Sequence, residues 1–303
     1  MFDSLYPALD WLAMHNRWPH ASCSQFVRSA HMRWHVQTMG SGPVALLLHG
    51  TGASTHSWRN VMPLLAQRFQ VVALDLPGHG FSSALQGQRP TLPAVAQAVQ
   101  ALLTQMQWQP VLWIGHSAGA AIAARCGLDV LARAPQTPMH LVGLNPAWLP
   151  LPGSAQWLFP LAAWLIGHNP LAGWLAAKQA QRDGAIERLI ESTGSRLDAN
   201  GLEGYRYLLR QPAHIRGVLQ LMAHWDLHRL QADLPALRCP IRMQIGLNDQ
   251  TISPTLADQA MVPLPHATRR DWPGLGHLAH EESPESCVQD IVQWFDGLNQ
   301  TGR

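Results

Sequence analysis

Gly115-His116-Ser117-Ala118-Gly119 is the stretch of this chain best suited to carry chemistry. It follows an apolar run, Val111-Leu112-Trp113-Ile114, and precedes a small-residue run, Ala120 to Ala124. Strand, sharp turn and helix are the context that separates a nucleophile's mount from a plain glycine-rich turn in a G-x-S-x-G pattern. There the turn holds Ser117 in a strained conformation, with its hydroxyl above the sheet edge. A Cβ at position 115 or 119 would collide with a neighbouring element. The following helix opens with N–H groups that have no intrahelical acceptor and point at a developing anion.

A serine hydroxyl is a weak nucleophile and needs a base, and the base needs an acid to orient it. In a strand–turn–helix setting the chain order is serine, acid, histidine. Asp249 follows Ile245-Gly246-Leu247-Asn248, and His277 lies in Gly274-Leu275-Gly276-His277, each after an apolar or alternating run. His280 is the rival base, with a structural role expected. Asp75, in the turn Asp75-Leu76-Pro77-Gly78-His79-Gly80, is expected to tie down backbone, and Asp226 is the remaining rival acid. A tetrahedral intermediate needs two N–H donors, each worth about 3 kcal/mol. The expected donors are the backbone N–H groups of Ala118 and of Thr51, in His49-Gly50-Thr51-Gly52. His49 is expected to brace that loop. His224 and His228 stand i,i+4, a spacing that could hold a metal, but no third ligand follows at fixed spacing. Neither a metal nor a cofactor is expected.

These residues need a scaffold, and the apolar pattern describes one. Val44–Leu48, Val71–Leu74, Val111–Ile114 and Met139–Leu144 read as strands buried on both faces. Ser24–Ala30 and Met32–Thr38 read as an antiparallel pair. Helices are expected over Trp58–Phe69 and from an N-cap at Thr91 to Met106. The rhythm stops at Asn145-Pro146 and resumes at Ile241–Ile245, with a helix at Pro254–Met261, a strand at Ala267–Trp272 and a last helix at Glu285–Leu298. The fold class is therefore α/β, a mostly parallel central sheet with helices on both faces. Residues 1–146 and 236–303 form the core, and residues 147–235 a helical lid. From Ala134 to Ala177 there is no Lys, Arg, Asp or Glu. Trp148, Trp157, Phe159 and Trp164 recur there, and Trp174 follows. With His116 and Leu278, the first four are expected to line a substrate pocket. An apolar lid suits a large hydrophobic substrate or contact with a membrane surface.

Composition sets the outer bounds. Net charge is +2 and no basic run exists, so nucleic acid is not an expected partner. Cys23, Cys126, Cys239 and Cys287 are dispersed, which reads as free thiols in a reducing compartment. The N-terminus lacks a basic region followed by an apolar core, and no 18-residue apolar run is free of breaks. A cytoplasmic location is expected, with peripheral membrane contact through the lid left open.

Together, the turn, the acid, the base and the loop resemble the α/β-hydrolase superfamily over most of residues 24–298. A narrower likeness rests on Trp18-Pro19, Trp34-His35-Val36-Gln37, the run His49 to Arg59, Asp75 to Ser82, and Leu144-Asn145-Pro146-Ala147. These stretches resemble the magnesium chelatase accessory proteins of bacteriochlorophyll biosynthesis in phototrophic bacteria. The resemblance implies the catalytic roles above, a place near magnesium insertion into protoporphyrin IX, and magnesium chelatase as a partner. An apolar substrate is expected, a porphyrin or an acyl or phytyl ester. Two other functions stay open: a porphyrin-binding accessory factor with little or no hydrolysis, and a general carboxylesterase or C–C bond hydrolase.

Overall fold

In the computed structural model, which describes residues 8–151 and 172–301, the apolar runs pair into one eight-stranded sheet. The strands are β1 Ser24–Ser29, β2 Met32–Met39, β3 Val44–Leu48, β4 Gln70–Leu74, β5 Pro110–His116, β6 His140–Leu144, β7 Ile241–Gly246 and β8 Ala267–Trp272. Their order is β1-β2-β4-β3-β5-β6-β7-β8. β1 and β2 form the expected antiparallel pair, and β2 runs antiparallel to β4. From β4 to β8 every pairing is parallel. All the parallel strands therefore end on one edge, where sheets of this kind place their ligands.

Burial on both faces explains the continuous apolar runs. Successive side chains alternate between faces. Leu46, Leu48, Val72, Leu74 and Trp113 enter one core cluster, and Ala45, Leu47, Val71, Ala73 and Ile114 the other. The first cluster is covered by α3 Leu92–Gln105 and α4 Ala118–Arg133, the second by α2 Val61–Leu65 and the long C-terminal helix Pro284–Thr301. A short helix, α1 Trp11–Met14, precedes β1. Thr91 caps α3 as expected, its side chain accepting from Ala94 N. The expected helix over Trp58–Phe69 is corrected. A 3-10 turn at Thr55–Trp58 precedes the five-residue α2. Pro63 has no N–H to bond to residue 59, so the turn cannot run on as one helix.

Between β6 and β7 the described helices are α5 Ala172–Gln179, α6 Ala185–Glu191, α7 Ala199–Leu208, α8 Pro212–Ala223 and α9 His228–Asp233. After β7 come α10 Pro254–Met261, α11 Ala279–Glu282 and α12, the C-terminal helix. The ends of the inserted region are built into the main core. Trp148, Leu149, Leu221, Leu227, Leu230 and Leu234 join the cluster beneath α3 and α4. A smaller cluster of Ala53, Ile186, Ile190, Leu202, Tyr205 and Leu278 joins α6 and α7 to the loops after β3 and β8. None of the described helices is long and apolar enough to cross a membrane. The four cysteines form no disulfide.

Trp148 does not line a pocket. It is 0% exposed, and its indole N–H donates to Ala120 O at 2.9 Å. A side chain with no accessible surface faces no cavity, and composition alone could not tell its face. Trp157, Phe159 and Trp164 lie outside the described residues. Trp148→Ala is expected to cost about 3–5 kcal/mol, the range for truncating a fully buried aromatic. Urea unfolding checks this, and a loss below about 1 kcal/mol would contradict the core placement.

Candidate active site

Ser117 sits at the junction of β5 and α4 with φ 51° and ψ −117°. A non-glycine residue there stores about 1–3 kcal/mol of strain, which persists only where its surroundings enforce it. They do so here through the backbone. Ser117 N donates to Leu144 O at 3.0 Å, and Ser117 O accepts from Ala120 N and Ala147 N at 3.1 and 3.2 Å. The two flanking glycines are required by contact. A Cβ on Gly115 would lie 2.4 Å from Ala120 N, and one on Gly119 2.0 Å from Leu48 O. The Ser117 side chain makes no capping bond to α4.

Asp249 and His277 meet at the ends of β7 and β8. His277 Nδ1 donates to Asp249 Oδ2 at 2.7 Å. A carboxylate only accepts, so a proton is on Nδ1, and in the neutral ring it is Nε2 that carries the lone pair. Asp249 Oδ1 accepts from Thr251 N and Ile252 N at 2.7 and 2.9 Å. Its Oδ2 accepts a second bond, from Asn145 Nδ2 at 2.6 Å. Asn145 also donates to Gly276 O at 3.1 Å, beside His277, and its Oδ1 accepts from Gly246 N at 3.0 Å. It stands just past β6, between the strands carrying Ser117 and Asp249, at φ 43°. Among the described residues no hydrogen bond joins Ser117 Oγ to His277 Nε2. Such contacts often tighten only around a substrate.

Thr51 lies in a turn closed by Ala53 N donating to Gly50 O at 3.2 Å, with Gly52 at φ 84°. The loop borders the serine, since a Cβ on Gly50 would be 3.2 Å from Ser117 Cβ. His49 braces it as expected: Nδ1 donates to Gly50 O at 2.7 Å, and Nε2 accepts from Leu76 N at 2.9 Å. In a trans peptide the carbonyl and N–H point opposite ways. Holding Gly50 O therefore sets the direction of the Thr51 N–H. Ala118 opens α4, where N–H groups lack intrahelical acceptors.

The rival residues are committed elsewhere. Asp75 is fully buried and accepts from His35 Nδ1, Thr55 N and Phe81 N at 2.8, 2.7 and 2.8 Å. Burial pushes its carboxyl up, but His35, His49 and the Thr55 N–H outweigh that and hold it well below the usual carboxylate range. Asp226 is exposed and pairs with His228 at 2.8 Å. His224 turns to Gln220 O at 2.8 Å. His280 is buried, and its Nε2 donates to Ser57 Oγ at 3.0 Å. Burial, His277 and Arg59 push it down to about 3. The Ser57 hydroxyl donates in turn to Glu281 Oε1 at 2.7 Å, as does Tyr205 at 2.6 Å, and Arg59 pairs with Glu281 Oε2. Burial raises the Glu281 carboxyl, against the pull of those three partners. This buried knot had no signature in the sequence, because its members are spread over Ser57, Arg59, Tyr205 and the His280–Glu281 pair.

His116 is 2% exposed, and its Nε2 donates to His277 O at 2.9 Å. It therefore supports the His277 loop from beneath and does not line a pocket. Leu278 packs in the cluster with Ala53, Ile186 and Tyr205. A second support comes from the segment after α6. Thr193 O accepts from Gln250 N at 3.1 Å and from His277 N at 3.3 Å. Ser195 Oγ accepts from Leu278 N at 2.8 Å. One short strap thus holds both the acid loop and the base loop.

A sequence profile described as "Alpha/beta hydrolase family" matches residues 45–290. The chain belongs to the alpha/beta hydrolase family. The Magnesium-chelatase 30 kDa subunit of Rhodobacter capsulatus is 35% identical over 292 residues, covering 95% of this chain and 100% of that protein. The narrower resemblance read from the sequence is thereby borne out. A Pimeloyl-[acyl-carrier protein] methyl ester esterase of Methylococcus capsulatus is 28% identical, covering 85% of this chain and 97% of its own. Among solved structures, a putative lipase from Acinetobacter baumannii superposes with TM-score 0.75 at 18% identity, over 97% of this chain and 98% of that one. A thermophilic esterase from Thermogutta terrifontis gives TM-score 0.69 at 21% identity, over 90% and 98%. Both share the fold.

Two outcomes follow from this geometry. Asn145→Ala leaves Gly246 N without its acceptor and Asp249 one donor short, at an expected cost of about 1–3 kcal/mol in urea unfolding. Burial, the largest cause in each case, also keeps His56, His79, His116, His214 and His280 below the ordinary histidine value, with His214 at about 4. Between about 6.5 and 4 the unfolded chain then binds more protons than the folded one, so stability falls as pH drops. Urea midpoints measured at pH 7.5, 6 and 5 should decrease in that order, and constant midpoints would contradict the buried neutral histidines.

Proposed function

We propose that this protein is a serine hydrolase that cleaves an ester-type bond of a bulky apolar substrate, in bacteriochlorophyll biosynthesis beside magnesium chelatase. One observation carries the reading: a strained, uncommitted Ser117 at the junction of β5 and α4 shares a sheet edge with a hydrogen-bonded Asp249–His277 pair. Ser117 Oγ attacks the acyl carbon while its proton passes to His277 Nε2. The N–H groups of Thr51 and Ala118 hold the resulting oxyanion. His277 then gives the proton to the departing alcohol, leaving an acyl-serine. Water, deprotonated by His277, attacks the acyl carbon, and the acid leaves as Ser117 regains its proton. Asp249 keeps the imidazole in the Nδ1–H tautomer throughout.

Residues 147–235 act as the lid, over a core of residues 1–146 and 236–303. Ile186, Ile190, Leu202 and Tyr205 of the lid pack against Ala53 and Leu278 of the core in one apolar cluster, which supports a lid docked over the site. The esterase similarity supports ester chemistry, and the chelatase similarity supports the pathway. The four unpaired cysteines suit a reducing, cytoplasmic setting. The same chelatase similarity favours a second reading, in which the protein binds a porphyrin for magnesium insertion and hydrolysis is minor.

A fluorophosphonate probe separates the two. Hydrolase function predicts labelling of the wild type that Ser117→Ala abolishes, and a drop of roughly 10⁴-fold in ester turnover for Asp249→Asn, which imposes the wrong tautomer. Labelling that survives Ser117→Ala would contradict it. An unlabelled protein whose tryptophan fluorescence is saturably quenched by protoporphyrin IX would favour the binding reading.

A further inference from the structure

α8 reaches the loop that carries Thr51. His214 and Gly217 lie three residues apart on α8, hence on one face. At Gly217 the helix meets the Gly78 backbone so closely that a Cβ would be 1.9 Å from Gly78 O. Only glycine allows that approach, and it seats the helix against the loop after β4. One turn earlier, His214 is 1% exposed. Its Nδ1 accepts from Gly80 N at 3.0 Å, and its Nε2 donates to Gly52 O at 3.1 Å. A backbone N–H can only donate and a carbonyl can only accept, so one neutral tautomer satisfies both. The surroundings agree. The His79 ring stands 5.3 Å away, edge-on. Burial and His49 disfavour the charged ring, against the opposing pull of Asp75 and the Gly52 carbonyl.

Gly52 O belongs to the peptide whose N–H is that of Ala53, and Ala53 N closes the turn on Gly50 O. Gly50 O belongs to the peptide whose N–H is that of Thr51. The lid histidine therefore fixes one peptide, that peptide fixes the next, and the second aims the donor.

We propose that His214 is a positioning residue for the Thr51 oxyanion donor, acting together with His49, so that docking of α8 on the core completes the setting of the oxyanion loop. The lid then completes the catalytic site as well as covering it. This rests on the serine hydrolase reading, so the test must distinguish the failure of one from the failure of the other.

Steady-state hydrolysis of p-nitrophenyl hexanoate and the rate of fluorophosphonate labelling are measured for the wild type, His214→Phe and His214→Gln. Phenylalanine fills the ring volume without nitrogens, whereas glutamine can accept from Gly80 N and donate to Gly52 O. The expected result for His214→Phe is a fall in kcat of at least about tenfold with KM within about twofold. Loss of a whole oxyanion donor costs about 10²–10³. His214→Gln should recover most of the rate. A folded His214→Phe with wild-type kcat and labelling overturns the proposal while leaving the hydrolase reading intact. If His214→Phe does not fold, the decision passes to His214→Gln: near-wild-type kcat supports the proposal, and a folded His214→Gln with kcat reduced tenfold overturns it. A wild type that neither labels nor hydrolyses removes both.

Discussion

The Asp249 carboxylate is the constraint on which the site depends. It is buried, and four N–H donors fill its two oxygens: His277 Nδ1, Asn145 Nδ2, Thr251 N and Ile252 N. A buried charge is tolerated only when it is paired and hydrogen-bonded. Each donor comes from a fixed place in the sheet, so satisfying the charge also fixes geometry. Two are backbone groups just past β7. One is a side chain at the end of β6. The last is the imidazole after β8. Removing any one would leave the others arranged around an incompletely solvated charge.

The insertion after β6 also supports this arrangement. Thr193 O and Ser195 Oγ hold the backbone of the acid and base loops, and His214 holds the loop of Thr51. An insertion that only shielded substrate would need apolar contact with the core and nothing more. These polar contacts are directional and reach three separate loops. They connect docking of the helices between β6 and β7 to the geometry of residues that lie far away in sequence.

The parts legible in the sequence were those whose cause is local. Ser117 announced itself through two glycines and the strand and helix that flank it. Asp249 and His277 stood at the ends of recognisable strands, and Thr91 capped the helix that its position implied. The parts that were not legible depend on partners far along the chain. Asn145 marked the end of a regular rhythm but carried no sign of its bond to Asp249, 104 residues on. Topology offered one signal, since β6 lies between β5 and β7 and the residue just past it borders the ends of both. His214 carries no local sign of its bond to Gly52, 162 residues back. Trp148 was misread because an aromatic in an uncharged stretch suits a core and a pocket equally, and composition does not say which way it faces.

The proposal that Ser117 is the nucleophile is tested most directly by trapping the acyl-serine. The protein is mixed with p-nitrophenyl hexanoate and quenched in acid at successive times. Released nitrophenolate is counted, and the digested chain is weighed by mass spectrometry. The account predicts a hexanoyl adduct on the peptide containing Ser117 that forms and decays with turnover. Turnover with no adduct at Ser117 at any time, or with the adduct on another residue, would contradict it.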